Sequence, residues 1–341
     1  MTTKMGKLHL KLARITVLSL LCLVVAFSGC KSNTKDPGKH SNHTVEIPTV
    51  IRPDFSADTA YEFIARQVAF GPRVPGTEAH KNCAGWLEAQ LNRFDATVTV
   101  QKGSVKRYDG VSLPMFNIIG SYNPTVPKRL MLCAHWDTRH VADQDTERKK
   151  EPIEGANDGG SGVGVLLEVA RQLQHKMPEI GVDIILFDVE DQGQPDDVKP
   201  SKSDTYCLGS QYWSKQPHVP NYTAQNGILL DMVGAKDATF TLEGTSMYYA
   251  PKFMRQVWDK AIALNHSKHF LYQRTDPIID DHYYINAIAN IPTIDIIQYD
   301  YSTRSNFGRY WHTHDDNMDV IDKATLQAVG ETVLAVVYGF E

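Results

Sequence analysis

The sequence predicts an α/β fold: a single domain built on a central mixed, mostly parallel twisted sheet flanked by helices. Short runs of β-branched and apolar residues alternate with amphipathic helical segments along the chain, which is the pattern of a sheet covered by helices. The run at 182–187 is apolar except for Asp183, as is typical of a strand buried on both faces. Because no internal repeat interrupts the alternation, one domain accounts for it.

Composition limits the class of protein. The chain has 341 residues, of which 42% are hydrophobic and 22% are charged, so it is globular and long enough to bury a large core. Its formal net charge is −5, with both signs mixed along the chain. Since nucleic-acid binding depends on a basic surface that neutralises phosphates, nucleic acid is not expected as a partner.

Residues 1–50 are predicted to direct export. Four basic residues precede an apolar run at 15–27, which is too short to span a bilayer comfortably and leads into Ser28-Gly29-Cys30. This pattern resembles the lipobox of bacterial lipoproteins, so we predict a signal peptide over 1–29, acylation of Cys30 and a membrane-anchored, periplasmic protein. An ordinary cleaved signal peptide is the alternative. The polar segment 30–50 is predicted to be a flexible tether to a domain over 51–341.

The remaining cysteines do not form a recognisable pattern. Cys83, Cys133 and Cys207 leave at least one thiol unpaired within the chain, and no two cysteines have CxxC spacing. A zinc site with cysteine ligands is therefore not expected, and we predict that the three are core residues.

The predicted elements follow in order along the domain. Helices are expected at 56–69, with Ser56 as N-cap, and at 77–93. Strands are expected at 97–101, 116–121 and 129–134, and a loop of about twenty residues follows. A glycine-rich segment at 155–162, which matches no phosphate-binding motif, leads into a helix at 163–175. Later strands are predicted at 182–189, 227–233 and 291–298, and later helices at 208–215, 251–265 and 319–340.

Metal-ligand side chains fall at or just beyond the ends of these elements. The buried strand at 182 leads to Glu190 and Asp191, whose side chains point in opposite directions and can take different roles. An isolated acidic pair is more often a solvated strand end. Here other residues of the same kind accompany it: His135, Asp137, Asp158, Asp231 and His312. Because open α/β sheets bind ligands at one edge, the sequence predicts a catalytic zinc site there.

The order of these residues resembles the zinc aminopeptidase superfamily. The matching phrases are a His-x-Asp at 135–137, Asn-Asp-Gly-Gly-Ser-Gly at 157–162, the acidic pair, Leu-Leu-Asp-Met at 229–232 and His-Thr-x-x-Asp at 312–316. Within the superfamily, further phrases resemble the animal-type glutaminyl-peptide cyclotransferases, or glutaminyl cyclases: 70–76, 123–125, 228–235, 280–282 and 311–313. These phrases cover nearly the whole predicted domain. Trp311, which directly precedes His312, is the feature that most specifically indicates this family, because it suggests a wall on which the substrate stacks.

The resemblance implies a role for each matching residue. It makes Asp158, Asp191 and His312 the ligands of one zinc ion per chain. Glu190 would be the general acid and base, and Asp231, in a network with Asp280, would hold the reacting amide nitrogen. Trp311 and Phe307 would line the pocket. The implied reaction converts the N-terminal glutamine of peptides and proteins to pyroglutamate with release of ammonia, with zinc as the Lewis acid.

Three positions depart from the animal pattern. Asp191 stands where animal members usually have glutamate, although either carboxylate can bind zinc. Asp295 stands where they have histidine, a change that removes a possible hydrogen-bond donor near Asp280. A pocket tryptophan that follows the acidic pair in animal members is absent, and Tyr206 is the expected replacement.

Two other functions are compatible with the sequence. In a two-zinc aminopeptidase, His135, Asp158 and Asp231 would hold a second metal and Glu190 would activate water. Because every required side-chain type is present, counting ligands does not exclude it, but Trp311 favours cyclisation. The second alternative is a lipoprotein that keeps the fold only for binding; such a protein is expected to have lost ligands. The role of the loop at 138–157 is left open.

Overall fold

The computed structural model of the protein describes residues 51–340. The predicted signal peptide, Cys30 and the tether lie outside the described residues. The helices are α1 (Ala57–Val68), α2 (Glu78–Arg93), α3 (Gly160–His175), α4 (Leu208–Lys215), α5 (Gly244–Tyr249), α6 (Pro251–Ala263), α7 (Asp281–Tyr284) and α8 (Lys323–Tyr338). The strands are β1 (Thr97–Lys106), β2 (Ser112–Tyr122), β3 (Arg129–His135), β4 (Gly181–Phe187), β5 (Asn226–Asp231), β6 (Phe240–Leu242), β7 (Phe270–Arg274) and β8 (Thr293–Ile297). None of these helices is long and apolar enough to cross a membrane.

Six strands form the central sheet in the order β1-β2-β4-β3-β5-β8. Strands β4, β3, β5 and β8 are parallel to one another, whereas β2 is antiparallel to β4 and β1 is antiparallel to β2. Strands β6 and β7 form a separate parallel pair. The predicted single α/β domain with a mixed, mostly parallel sheet is confirmed.

The core lies on both faces of this sheet, because successive side chains of each central strand point to opposite sides. Leu130 and Leu132 of β3 pack into a large cluster with apolar residues of α1, α3 and α8. Met131 and Cys133, which alternate with them, pack into a second cluster with Trp213 of α4. The near-continuous apolar strands in the sequence therefore reflect burial on both faces.

Strands β1 and β2 are longer than predicted and form an antiparallel hairpin. The chain reverses at Gly110, whose φ of +88° is strained for any other residue. The N–H of Arg107 donates to the carbonyl of Val111 across this turn at 2.9 Å. Because β1 lies at the edge of the sheet and is only partly buried, its second half lacks the apolar pattern that marks the inner strands.

Helix α3 begins within the glycine-rich segment, three residues earlier than predicted. A Cβ atom at Gly162 would lie 2.2 Å from the carbonyl oxygen of Leu230, so only glycine lets the first turn of α3 approach β5 this closely. This close approach brings Asp158, just before the helix, to the carboxyl ends of the parallel strands.

The segment between β5 and β8 differs most from the prediction. The strands β6 and β7, the short helices α5 and α7, and a π-helical turn at Ile285–Ala289 were not predicted. Helix α8 begins at Lys323 instead of 319, because the Asp322 side chain accepts a hydrogen bond from the N–H of Thr325 at 3.1 Å and caps the helix.

Candidate active site

The chain that follows β4 is fixed by two buried aspartates. Asp188 accepts hydrogen bonds from Nε2 of His80 at 2.9 Å and from the N–H of Phe116 at 2.7 Å. The carboxylate of Asp137, just beyond β3, accepts from the N–H of Glu190 at 2.9 Å and from that of Asp191 at 3.3 Å. The backbone of the acidic pair at 190–191 is thus fixed at the edge of the sheet. Both side chains of the pair remain free to contact a metal ion or a substrate.

Asp158, Asp191 and His312 converge as the sequence predicted. Their ligand atoms all lie within 4.8 Å of one another, and the three residues are buried. Nε2 of His312 lies 3.2 Å from Oδ1 of Asp191 and 3.7 Å from Oδ2 of Asp158. Within the described residues, Oδ2 of Asp191 is buried without a hydrogen-bond partner. Two carboxylates and an imidazole match the three protein ligands of a catalytic zinc site, which also has an open position. The unpaired Oδ2 of Asp191 is an oxygen that such an ion would bind.

His135 lies beside this group and contacts two carboxylates. Its Nε2 is 3.0 Å from Oδ1 of Asp158 and 3.2 Å from Oδ1 of Asp231. Burial opposes protonation of His135, but its hydrogen bonds with Asp137, Asp158 and Asp231 raise its pKa well above the usual value. His135, Asp158 and Asp231 thus form a second group that could hold a metal ion, and Asp158 is shared with the first group. The structure therefore also brings together the side chains of the alternative two-metal site.

Glu190 lies at the same edge, mostly enclosed by its neighbours but with part of its surface exposed. Its Oε1 accepts a hydrogen bond from Sγ of Cys207 at 3.1 Å, so this cysteine, predicted to be a core residue, is buried but contacts a candidate catalytic group. Burial raises the pKa of Glu190 well above its usual value; His135 opposes the shift, while Asp280 and Asp191 add to it. A carboxyl group with a raised pKa is suited to exchanging protons near neutral pH.

Asp231 and Asp280 are close to each other and to a third carboxyl group, that of Asp295. Burial raises the pKa of Asp231 to about 7; His135 opposes this shift and Asp280 adds to it. Burial also raises the pKa of Asp295 well above its usual value, with the charge of Asp280 adding to the effect. Both carboxyl oxygens of Asp295 are buried without a hydrogen-bond partner among the described residues, so this position supplies no hydrogen bond to Asp280 in the structure.

A cavity of about 240 Å³ opens onto these groups and is also lined by Trp311, Phe307 and Tyr206. The ring centroids of Trp311 and His312 are 3.7 Å apart and the rings are stacked, while the Phe307 ring lies 5.0 Å from that of Trp311. Ile278 and Ile279 also line the cavity. A space of this size, with apolar walls and carboxylates in its lining, suits a single small polar side chain.

Two buried charged residues, Arg73 and Asp316, fix the backbone of the segments that carry the candidate ligands. They give a structural role to the phrases at 70–76 and 312–316. Arg73, of the phrase at 70–76, is fully buried and donates to the carbonyls of Trp136 at 3.1 Å and Gly155 at 2.7 Å. Asp316, the last residue of the phrase at 312–316, accepts from the N–H groups of Asn157 at 2.8 Å and Asp158 at 3.1 Å. Both fix the backbone around Asp158.

The long loop at 138–157 contributes two residues that the sequence did not reveal. Arg139 is fully buried and donates to Oδ1 of Asp191 at 3.2 Å and to Oδ1 of Asp143 at 2.6 Å. The same Oδ1 of Asp143 lies 3.3 Å from Nδ1 of His312. Through this pair the loop supports both Asp191 and His312. Only the unusual length of the loop hinted at a function.

The fold and this cluster of carboxylates and histidines define the class of the protein as a zinc-dependent enzyme. The model of peptidase family M28 matches residues 117–337, and the chain belongs to that family.

Within the family, the chain is similar to proteins with a more particular description. A crystal structure of the glutaminyl cyclase of Tannerella forsythia is 52% identical, with 85% of this chain and 100% of that chain covered and a TM-score of 0.84. A Zn-dependent exopeptidase from Parabacteroides distasonis is 51% identical, with 84% and 99% covered and a TM-score of 0.84. The glutaminyl-peptide cyclotransferase of Boiga irregularis is 24% identical over 290 residues, which are 76% of this chain and 75% of that protein. The resemblance to glutaminyl cyclases drawn from the sequence is confirmed.

Proposed function

We propose that the protein is a zinc-dependent glutaminyl-peptide cyclotransferase that converts N-terminal glutamine of peptides and proteins to pyroglutamate and releases ammonia. The observation that carries this function is the small cavity in which the Asp158–Asp191–His312 group, Glu190 and Trp311 meet. The similarity to bacterial glutaminyl cyclases over nearly the whole described chain supports the same conclusion.

Different residues of the cavity would bind the zinc ion and position the substrate. Zinc bound by Asp158, Asp191 and His312 would polarise the γ-carbonyl of the substrate glutamine. Trp311 and Phe307 would pack against the glutamine side chain and hold its carbonyl carbon, Cδ, close to its own α-amine. Because nucleophile and electrophile belong to one residue, binding in the ring-closing conformation supplies much of the rate enhancement.

Proton transfer would fall to the carboxyl groups. An α-amine has a pKa of about 8, so part of the bound substrate must lose a proton before it attacks. The neutral amine then attacks, and Glu190 would take one proton from the attacking nitrogen as the new C–N bond forms and deliver it to the departing amide nitrogen, which leaves as ammonia as the old C–N bond breaks. Asp231, supported by Asp280, would accept hydrogen bonds from that nitrogen and hold it in place.

We infer one zinc ion per chain. The contacts of His135 with Asp158 and Asp231, at 3.0 and 3.2 Å, support this stoichiometry because Nε2, the imidazole atom that would bind a second ion, is engaged with both carboxylates. The two-zinc aminopeptidase is the competing function, since the same three residues would then hold a second ion.

Paired assays with zinc quantitation test the proposed function. Purified protein is expected to cyclise glutaminyl-β-naphthylamide, to release ammonia, and to leave leucyl-β-naphthylamide intact while carrying one zinc ion. Release of naphthylamine from the leucyl substrate by a protein that carries two zinc ions, without cyclisation of the glutaminyl substrate, would establish an aminopeptidase instead.

Truncation of Asp143 to alanine is expected to weaken zinc binding by about 10–100-fold, because the carboxylate that contacts the imidazole of His312 is lost. The rate of zinc transfer to a chromogenic chelator measures the effect without reference to activity. Asp145→Ala is the matched control, since Asp145 lies in the same loop but contacts His314 at 2.6 Å. Equal zinc-release rates in the two variants would contradict the role of Asp143.

We further propose that the protein is exported and anchored to a membrane by lipid at Cys30, most simply in the periplasm. The basic residues, the apolar run at 15–27 and Ser28-Gly29-Cys30 support this location. Cys30→Ala is expected to abolish labelling of the protein by radioactive fatty acid and to remove it from the membrane fraction, whereas Cys22→Ala is expected to change neither. A Cys30→Ala protein that is still labelled would show that the lipid is attached elsewhere.

A further inference from the structure

A second, larger cavity adjoins the catalytic one. It has a volume of about 660 Å³, and its lining includes Arg304, Arg309 and Ser305. Trp311 and Asp196 line both this cavity and the catalytic one, so the two are neighbours that share a wall. We refer to the larger cavity as the outer cleft.

The two cavities carry charges of opposite sign. The catalytic cavity is lined by several carboxyl groups, among them Glu190, Asp231 and Asp280. The lining of the outer cleft includes Arg304 and Arg309 but only one acidic residue, Asp196. Both arginines are exposed, and neither forms an ion pair with any residue in the described range 51–340. The lining of the cleft therefore carries two arginines and one aspartate, and neither arginine is within ion-pair distance of an acidic side chain in that range.

The substrate of the proposed reaction must extend beyond the catalytic cavity. A space of about 240 Å³ suits one residue, whereas a glutaminyl peptide continues from the carbonyl of that residue. The α-amine, partly protonated at neutral pH, is drawn to the carboxylates of the inner cavity. The residues that follow can then lie across Trp311 in the outer cleft, whose volume is more than twice as large.

We propose that the outer cleft is a subsite for the residues that follow the N-terminal glutamine, and that Arg304 and Arg309 make it selective for peptides with acidic side chains there. This inference rests on the proposed function. It assigns the enzyme a substrate class, acidic glutaminyl peptides, and assigns the two arginines a role in specificity without a part in the chemical step.

Three amidated peptides of equal length test the selectivity: Gln-Glu-Ala-Phe-amide, Gln-Ala-Ala-Phe-amide and Gln-Lys-Ala-Phe-amide. The glutamate peptide is expected to have a kcat/KM about 5-fold above that of the lysine peptide, the scale of exposed ion pairs, and the alanine peptide is expected to fall between them. The difference should lie mainly in KM and should shrink at high salt, which screens exposed charges.

The variant Arg304→Gln/Arg309→Gln is expected to level the three kcat/KM values. It should cyclise glutaminyl-β-naphthylamide, which has no second residue, at the wild-type rate. Arg93→Gln, on the exposed side of α2, is the control and should keep the preference. Equal kcat/KM values for the glutamate and lysine peptides with the wild-type enzyme would overturn the subsite, as would an unchanged preference in the double variant. If the wild-type enzyme cyclises neither glutaminyl-β-naphthylamide nor any peptide, the proposed function fails, and the subsite fails with it.

Discussion

Replacement of Glu190 by glutamine is expected to leave a folded, zinc-binding protein whose cyclisation rate is lower by about 10²–10⁴-fold, the usual contribution of a positioned acid–base group. Glutamine preserves the shape of the side chain and can still contact Sγ of Cys207, but its amide cannot accept the proton of the substrate amine. The loss should therefore appear in kcat, with KM almost unchanged, because the side chain acts on a proton and not on binding.

Single-turnover rates with glutaminyl-β-naphthylamide measure this effect, and zinc content with the thermal midpoint verifies that the fold is intact. Glu151→Gln is the matched control, because Glu151 is exposed in the long loop, where its side chain pairs with Arg148 at 3.5 Å. Wild-type turnover by the Glu190→Gln protein would mean that another group transfers the proton.

Truncation of His312 to alanine is expected to remove bound zinc and to lower kcat/KM by about 10³-fold or more. The polarising charge of a metal ion contributes several kcal/mol to the transition state, and each 1.36 kcal/mol corresponds to about tenfold in rate. The change also removes the imidazole that stacks on Trp311, so the pocket loses part of its support.

Metal content after dialysis and activity before and after addition of zinc measure both consequences. His314→Ala is the control: this histidine is two residues away, but its Nδ1 contacts Asp145 at 2.6 Å instead of the other candidate ligands. A His312→Ala protein that retains one tightly bound zinc ion would exclude His312 as a ligand. The group formed by His135, Asp158 and Asp231 would then be the zinc site.

The parallel strands and the candidate ligands were predictable because both leave local marks in the sequence. A strand buried on both faces is a short apolar run, and residues that end such strands meet at one edge regardless of their distance along the chain. Glycine at 162 marked a close approach of backbone atoms. These features identified the edge and most of the side chains at it before any geometry was known.

The supporting contacts were not predictable, because they join residues distant along the chain; Asp137 was recognised as a candidate metal ligand, but its role as the acceptor for the backbone of the acidic pair was not. Arg139 reaches Asp191 across 52 positions, and Asp137 accepts from the N–H of Glu190 across 53 positions. Nothing in the loop at 138–157 distinguishes the buried Arg139 from an exposed arginine. The short elements between β5 and β8 were missed for a similar reason: strands and helices of three to six residues have too few positions to establish a period.

Asp191 illustrates how the surroundings accommodate a departure from the animal pattern. Its side chain is shorter than the glutamate that animal members usually carry. Arg139 donates to its Oδ1 at 3.2 Å and to its carbonyl at 3.3 Å, which fixes both the side chain and the backbone. The guanidinium leaves Oδ2 without a hydrogen-bond partner in the described range, so that oxygen remains available to a metal.

The stacked rings of Trp311 and His312 have a thermodynamic consequence. One ring is a wall of the substrate cavity and the other belongs to a candidate metal ligand, and their centroids are only 3.7 Å apart. Any molecule that packs on Trp311 and thereby restrains His312 strengthens the hold on the metal, and by linkage the bound metal strengthens the hold on that molecule by the same factor. Occupancy of the cavity and the affinity for zinc then rise together, so a tight-binding inhibitor should also lower the dissociation constant of the ion.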